Sequence, residues 1–198
     1  INFGRSTLSA GIQGGYLNYS YNYGDLNLDV LDDPVFNPLN ETVSQPNFGF
    51  GLWYFTDDYY LGFSVPRILQ VDVDTDGGDP SSRYSRHYYV SAGGMITLNP
   101  TLKLKPYTLV RLVDGIPGSI DIGANLLIRE LIWAGALYRD FGAIALMGQI
   151  ELNDQLRLGY SLELATNEIT TQSAGTHEIM LTFDLAVFSQ QVLKRRYF

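Results

Sequence analysis

The chain has no cysteine among its 198 residues. Disulfide staples are therefore excluded, and a cell-envelope protein that avoids stray disulfides fits the absence. No apolar run approaches eighteen residues, so a transmembrane helix is excluded as well. Cations are scarce: 13 Lys and Arg against 21 Asp and Glu leave a net charge of −8. A nucleic-acid partner is not expected, because phosphate binding needs clustered Lys and Arg. Catalytic signatures are missing too. The sequence contains no G-x-S-x-G, no H-E-x-x-H, no Gly-rich phosphate loop and no paired metal ligands. Its two histidines, His87 and His177, sit in no nucleophile motif. The chain is expected not to be an enzyme, and no cofactor is expected beyond one calcium candidate described below.

What remains is alternation. In 143–152 the even positions read Ile144, Leu146, Gly148, Ile150 and Leu152, while the odd ones include Gln149 and Glu151. After Asn153-Asp154 the pattern resumes, with Leu156, Leu158, Tyr160, Leu162 and Leu164 against Gln155, Arg157, Gly159, Ser161 and Glu163. It returns with Ile179, Leu181, Phe183, Leu185 and Val187 against Glu178, Met180, Thr182 and Asp184. A period of two is a strand. Long hairpin-linked strands with one oily and one charged face are the pattern of a membrane barrel, with lipid outside and a polar lumen. The 20 Gly and 14 Tyr fit that class.

The expected fold is therefore all-β: an antiparallel transmembrane β-barrel with about ten strands in this chain. The runs are 5–23, 46–56, 59–69, 84–98, 101–113, 118–128, 131–139, 142–152, 155–165 and 176–188. Residues 1–188 form the barrel part, and 189–198 form a basic tail with Lys194, Arg195 and Arg196. Connections sort by parity. Tight turns at Asp57-Asp58, Asn99-Pro100, Arg129-Glu130 and Asn153-Asp154 lie on one side. The other side takes 24–45, 70–83, the Gly115-Ile116-Pro117 link, Asp140-Phe141 and 166–175. Outer-membrane barrels have this asymmetry, with short periplasmic turns and longer outer loops. The expected location is the bacterial outer membrane, crossed many times, with the tail in the periplasm.

The same alternation places Lys103, Lys105, Tyr107, Arg111, Asp121, Asn125, Arg129, Gln149, Glu151, Arg157, Glu163, Glu178 and Asp184 in the lumen. Both signs occur on neighbouring strands, so mutual neutralisation across a filled interior is expected, since charges within a membrane are costly unless paired. Tyr and Trp cluster near strand ends, including Trp53, Tyr54, Tyr59, Tyr60, Tyr88, Tyr89, Trp133 and Tyr138. They read as interfacial girdles. Two loops stand out. Asp72-x-Asp74-x-Asp76-Gly77 opens like a calcium loop over 72–79, but the acid expected six positions beyond the Gly is Arg83. The loop with Asp32, Asp33, Val35 and Phe36 mixes acids with large apolar residues. It reads either as a partner contact or as a plug over the mouth.

Several stretches resemble the PorP/SprF family, Bacteroidota outer-membrane proteins of type IX secretion. They are Asp33-Pro34-Val35, Pro46 to Tyr54 (PNFGFGLWY), Tyr59 to Pro66 (YYLGFSVP), Leu104-Lys105-Pro106-Tyr107, Leu158-Gly159-Tyr160-Ser161 and Gly175 to Leu181 (GTHEIML). The ending Arg196-Tyr197-Phe198 is similar too. The resemblance covers nearly the whole chain. It implies a longer protein with a leader, an Asn-Pro-Ala segment and early strands. These residues are then expected to be the C-terminal two thirds of a barrel of about fourteen strands. The family often carries an aromatic-Asp pair after Gly-Tyr-Ser, where this chain has Leu162-Glu163. The implied function is non-enzymatic: to bind and anchor, or support secretion of, a surface protein with a type B C-terminal domain, such as a gliding adhesin. Periplasmic or lipoprotein components of the machinery and membrane lipids are the other implied partners. The alternative is a passive or substrate-selective porin.

Overall fold

A computed structural model describes residues 1–22, 40–73, 82–140, 142–153, 155–166 and 175–184. Among these residues thirteen strands follow one another, with no helix between them. They are β1 (Thr7–Asn22), β2 (Asn40–Phe55), β3 (Tyr59–Val65), β4 (Val71–Val73), β5 (Ser82–Tyr84), β6 (His87–Gly94) and β7 (Ile96–Asn99). The rest are β8 (Leu102–Val113), β9 (Ile116–Ile128), β10 (Ile132–Arg139), β11 (Ala143–Glu151), β12 (Leu156–Ala165) and β13 (Thr176–Phe183).

Eleven of them form one antiparallel sheet in the order β1-β2-β3-β6-β8-β9-β10-β11-β12-β13, with β7 also paired to β8. From β8 onward each strand lies beside its neighbour in sequence. β1 and β13 end the path, and no ladder joins them among the described residues. The fold is thus all-β and antiparallel, as the alternation predicts.

Several boundaries differ from the sequence reading. β2 begins at Asn40, inside the expected 24–45 connection, and β4 with the start of β5 falls in the expected 70–83 connection. The 59–69 run leaves the regular ladder at Val65, because Pro66 has no N–H to give it. The chain is stitched back there by Ile68 N–H to the Phe48 carbonyl (2.8 Å) and by the Asn47 side-chain amide to the Leu69 carbonyl (2.8 Å). The 84–98 run divides into β5, β6 and β7, interrupted at Met95, whose N–H turns aside to the Asp58 carbonyl (2.6 Å). The Gly115–Pro117 link is shorter than expected. Asp114-Gly115 makes the turn, with Gly115 at φ +82°, and β9 begins at Ile116. An Asp-Gly pair between alternating runs is the standard hairpin signal.

Two faces result. Along β10, Ile132, Ala134, Ala136 and Tyr138 are exposed, while Trp133, Gly135, Leu137 and Arg139 are half-buried. Among the described residues no second layer packs on either face of the sheet, so this difference comes from curvature. Side chains on the concave side crowd one another; those on the convex side splay. The convex face is the oily one. Ile122, Leu146, Leu158, Ile179 and Leu181 stand on it exposed. Among the described residues the buried hydrophobic core is correspondingly small: Val65, Leu127 and Ala143. Leu127 lies on the concave face of β9, between Lys103 and Trp133 in register.

Candidate functional site

The concave wall divides into two parts. On β1, β2, β3 and β6 it is built from small and aromatic residues. Ser9, Gly11, Gly51, Gly62, Ser64 and Ser91 leave a recess of about 350 Å³ beside Trp53 and Tyr89. Rings lie over glycines in the neighbouring strand. A Cβ at Gly62 would stand 2.6 Å from the Trp53 ring, and one at Gly93 would stand 2.7 Å from Tyr60. Tyr107 covers Gly123 in the same way. Each ring faces its glycine in register, Trp53 against Gly62, Tyr60 against Gly93 and Tyr107 against Gly123. Trp53 and Tyr60 stack, with centroids 4.7 Å apart.

On β8 to β13 the wall carries charge. Arg111 reaches Asp121 at 2.5 Å and donates to Ser119 Oγ at 3.1 Å. Arg139 stands 3.4 Å from the same Asp121 carboxylate and holds both Glu163 oxygens at 3.0 and 2.9 Å. The Asp121 side chain is only 5% exposed, so it is the anchor of the network. Burying a carboxylate costs several kcal/mol unless paired, and two guanidinium groups offset that cost here. Arg139 and Glu163 are not on adjacent strands. β11 lies between them, and its Ala143 and Ala145 are small enough for the arginine to pass over. Nearer the tight turns, Lys103 meets Glu130 at 2.5 Å, Trp133 Nε1 donates to Glu151 at 3.4 Å, and Arg157 meets Asp184 at 2.6 Å. Ser161 Oγ donates to Glu178 at 3.5 Å. Lys105 lies opposite Asn125 in register.

These pairs run along the wall, between neighbouring or next-but-one strands. None of these ion pairs spans the hollow of the sheet. Arg129 sits in the turn at φ +53°, beside Glu130 at +55°. Arg139 and Trp133 join the concave face, although the lumen set expected from the sequence does not contain them. Both have the odd parity of Leu127 and Asn125 across an unslipped ladder, so parity is the signal that finds them. Trp53, Tyr60 and Tyr89 likewise face inward, not into a lipid-facing girdle. Tyr54, Tyr59 and Tyr138 remain on the oily face.

Asp72 lies in β4, opposite Arg83 of β5. Asp74 and Asp76 lie outside the described residues, as do Asp32, Asp33, Val35, Phe36 and the tail with Lys194, Arg195 and Arg196. Among the described residues no group of three or more His, Asp or Glu is placed to hold a metal ion. At the rim, Arg86 donates to the Ile68 carbonyl at 2.7 Å and to the Tyr88 hydroxyl at 3.2 Å. The second bond raises the guanidinium pKa above its ordinary value.

No curated protein matches the chain. The family model for the type IX secretion system membrane protein PorP/SprF matches residues 1–183. That match covers the whole sheet, its oily face and all of the paired charges but Asp184, and the chain belongs to the PorP/SprF family.

Proposed function

We propose that the sheet is part of a closed outer-membrane barrel of about fourteen strands that binds a secreted surface protein. It anchors that protein or supports its export, performs no catalysis, and serves partners with a type B C-terminal domain such as gliding adhesins of Bacteroidota. The carrying observation is the PorP/SprF match over 1–183, on a sheet that is oily on one face and charge-paired on the other. Solvent physics supports closure. A bilayer core offers no water to unpaired N–H and C=O groups, so the edges of β1 and β13 need strand partners there. Periplasmic or lipoprotein components of the secretion machinery are the further partners this reading assigns.

The test is a pull-down with the full-length protein from detergent-solubilised outer membrane, followed by mass spectrometry. Recovery of one large secreted protein with a C-terminal secretion domain supports the reading. Recovery of the barrel alone, with ion conductance in planar bilayers, contradicts it and favours a porin. The porin reading has its own support: wall-wise charge pairing leaves the bore unbridged by the pairs described.

A further inference from the structure

Among the described residues of β8 to β13, the convex face carries one imidazole. Outward positions of β8 to β13 carry no Asp, Glu, Lys or Arg among the described residues, yet His177 stands there, exposed. Register puts His177 beside Leu162, two residues before Ile179, which faces Tyr160. The Tyr160 hydroxyl meets His177 Nδ1 at 2.6 Å, with the rings 6.1 Å apart. An ionisable group on a lipid-facing wall is costly unless it has a role. His177 also sits at a defined depth. It is the second residue of β13, just after Gly175 at the end of the 166–175 connection. At about 3.4 Å per residue, it lies within a step or two of the strand end, which in the barrel proposed above is the level of the outer headgroups.

We propose that Tyr160 and His177 form a lipid site on the barrel's outer wall, which takes the phosphate of an outer-leaflet lipid, with lipid A and a phospholipid sharing that chemistry. The proposal rests on the membrane-barrel reading above. When Tyr160 donates to Nδ1, the neutral imidazole carries its hydrogen on Nε2, which remains a donor for an anionic oxygen. Leu158, Leu162, Ile179 and Leu181 continue the same face, as a bed for acyl chains. A phosphate above an apolar strip is the chemistry of a phosphorylated lipid. A protein neighbour in the membrane plane has no such requirement for a donor at headgroup depth.

The test uses full-length protein refolded in detergent and examined by native mass spectrometry. Phosphatidylglycerol is the probe, and diacylglycerol with the same chains is the control. His177→Phe and Tyr160→Phe suit a lipid-facing wall and are expected to keep the fold, checked by the heat-dependent shift in gel mobility. Wild type is expected to retain phosphatidylglycerol about tenfold better than His177→Phe, as for a lost hydrogen bond to a charged acceptor. Diacylglycerol retention is expected to be equal in all three, and millimolar inorganic phosphate is expected not to compete. Equal phosphatidylglycerol retention overturns the lipid site, as does full competition by free phosphate. Loss of a co-purifying membrane protein from the variants, with lipid retention unchanged, overturns it in favour of a protein neighbour. A wild-type chain that shows no heat-modifiable fold in detergent sinks the barrel reading itself.

Discussion

The two halves of the concave wall solve the same problem with different chemistry. From β1 to β6 the wall is held by rings laid over glycines, with serines between them. From β8 to β13 it is held by alternating charges that hop from strand to strand. Both devices tie strands together on a face with no second layer among the described residues. The difference lies in what each tolerates. Ring-on-glycine contacts depend on shape and ignore salt. The charge chain depends on one buried anchor, Asp121, and its outer members are about a third exposed. The comparison teaches that burial, rather than the number of pairs, ranks the residues of this wall.

That ranking can be broken experimentally. Asp121→Ala leaves Arg111 and Arg139 without their shared carboxylate, and a loss of about 3 kcal/mol is expected in urea unfolding from micelles. Retention of wild-type stability would remove Asp121 as the anchor. Gly62→Val drives a side chain into Trp53 and Ser91 and is expected to cost about 2 kcal/mol by overpacking. Its effect should be the same at low and high salt; a salt-dependent loss would merge the two halves into one electrostatic system. Arg129 and Glu130 both hold positive φ in a two-residue turn. The double variant Arg129→Asn, Glu130→Gly is expected to stabilise by about 1 kcal/mol, read as a raised unfolding midpoint. A lowered midpoint would mean that the Lys103–Glu130 pair outweighs backbone strain. Smallest of all, Glu163→Gln at a 36% exposed side chain is expected to cost about 0.5 kcal/mol, and less in high salt. A loss as large as that of Asp121→Ala would refute the burial ranking.

Much of this is legible from period two alone. All ten alternating runs correspond to strands or strand groups, because a curved single sheet writes its two faces directly into alternate residues. The tight turns are legible for the same reason. What escapes has physical causes. Pro66 ends β3 early, yet the Asn47 side chain lets the strand keep its course. Aromatic clustering suggests girdles, but clustering ignores parity, and parity puts Trp53, Tyr60 and Trp133 inside. Parity also gives the right face for Arg111, Asp121, Arg157 and Glu163. It does not give their partners, because the Arg139–Glu163 bond skips a strand. Alternation specifies faces; it does not say which long side chain will cross a stretch of alanine.

The central claim is sidedness: even positions of β11 and β12 meet lipid and odd positions meet water. The absence of cysteine makes this directly measurable. Single cysteines placed one at a time at Ile144, Ala145, Leu146 and Met147 of full-length protein in liposomes can be probed with a membrane-impermeant maleimide. The account predicts labelling at 145 and 147, and protection at 144 and 146, where a polarity-sensitive fluorophore is quenched by brominated acyl chains. Equal labelling at all four sites, or the opposite alternation, would contradict it.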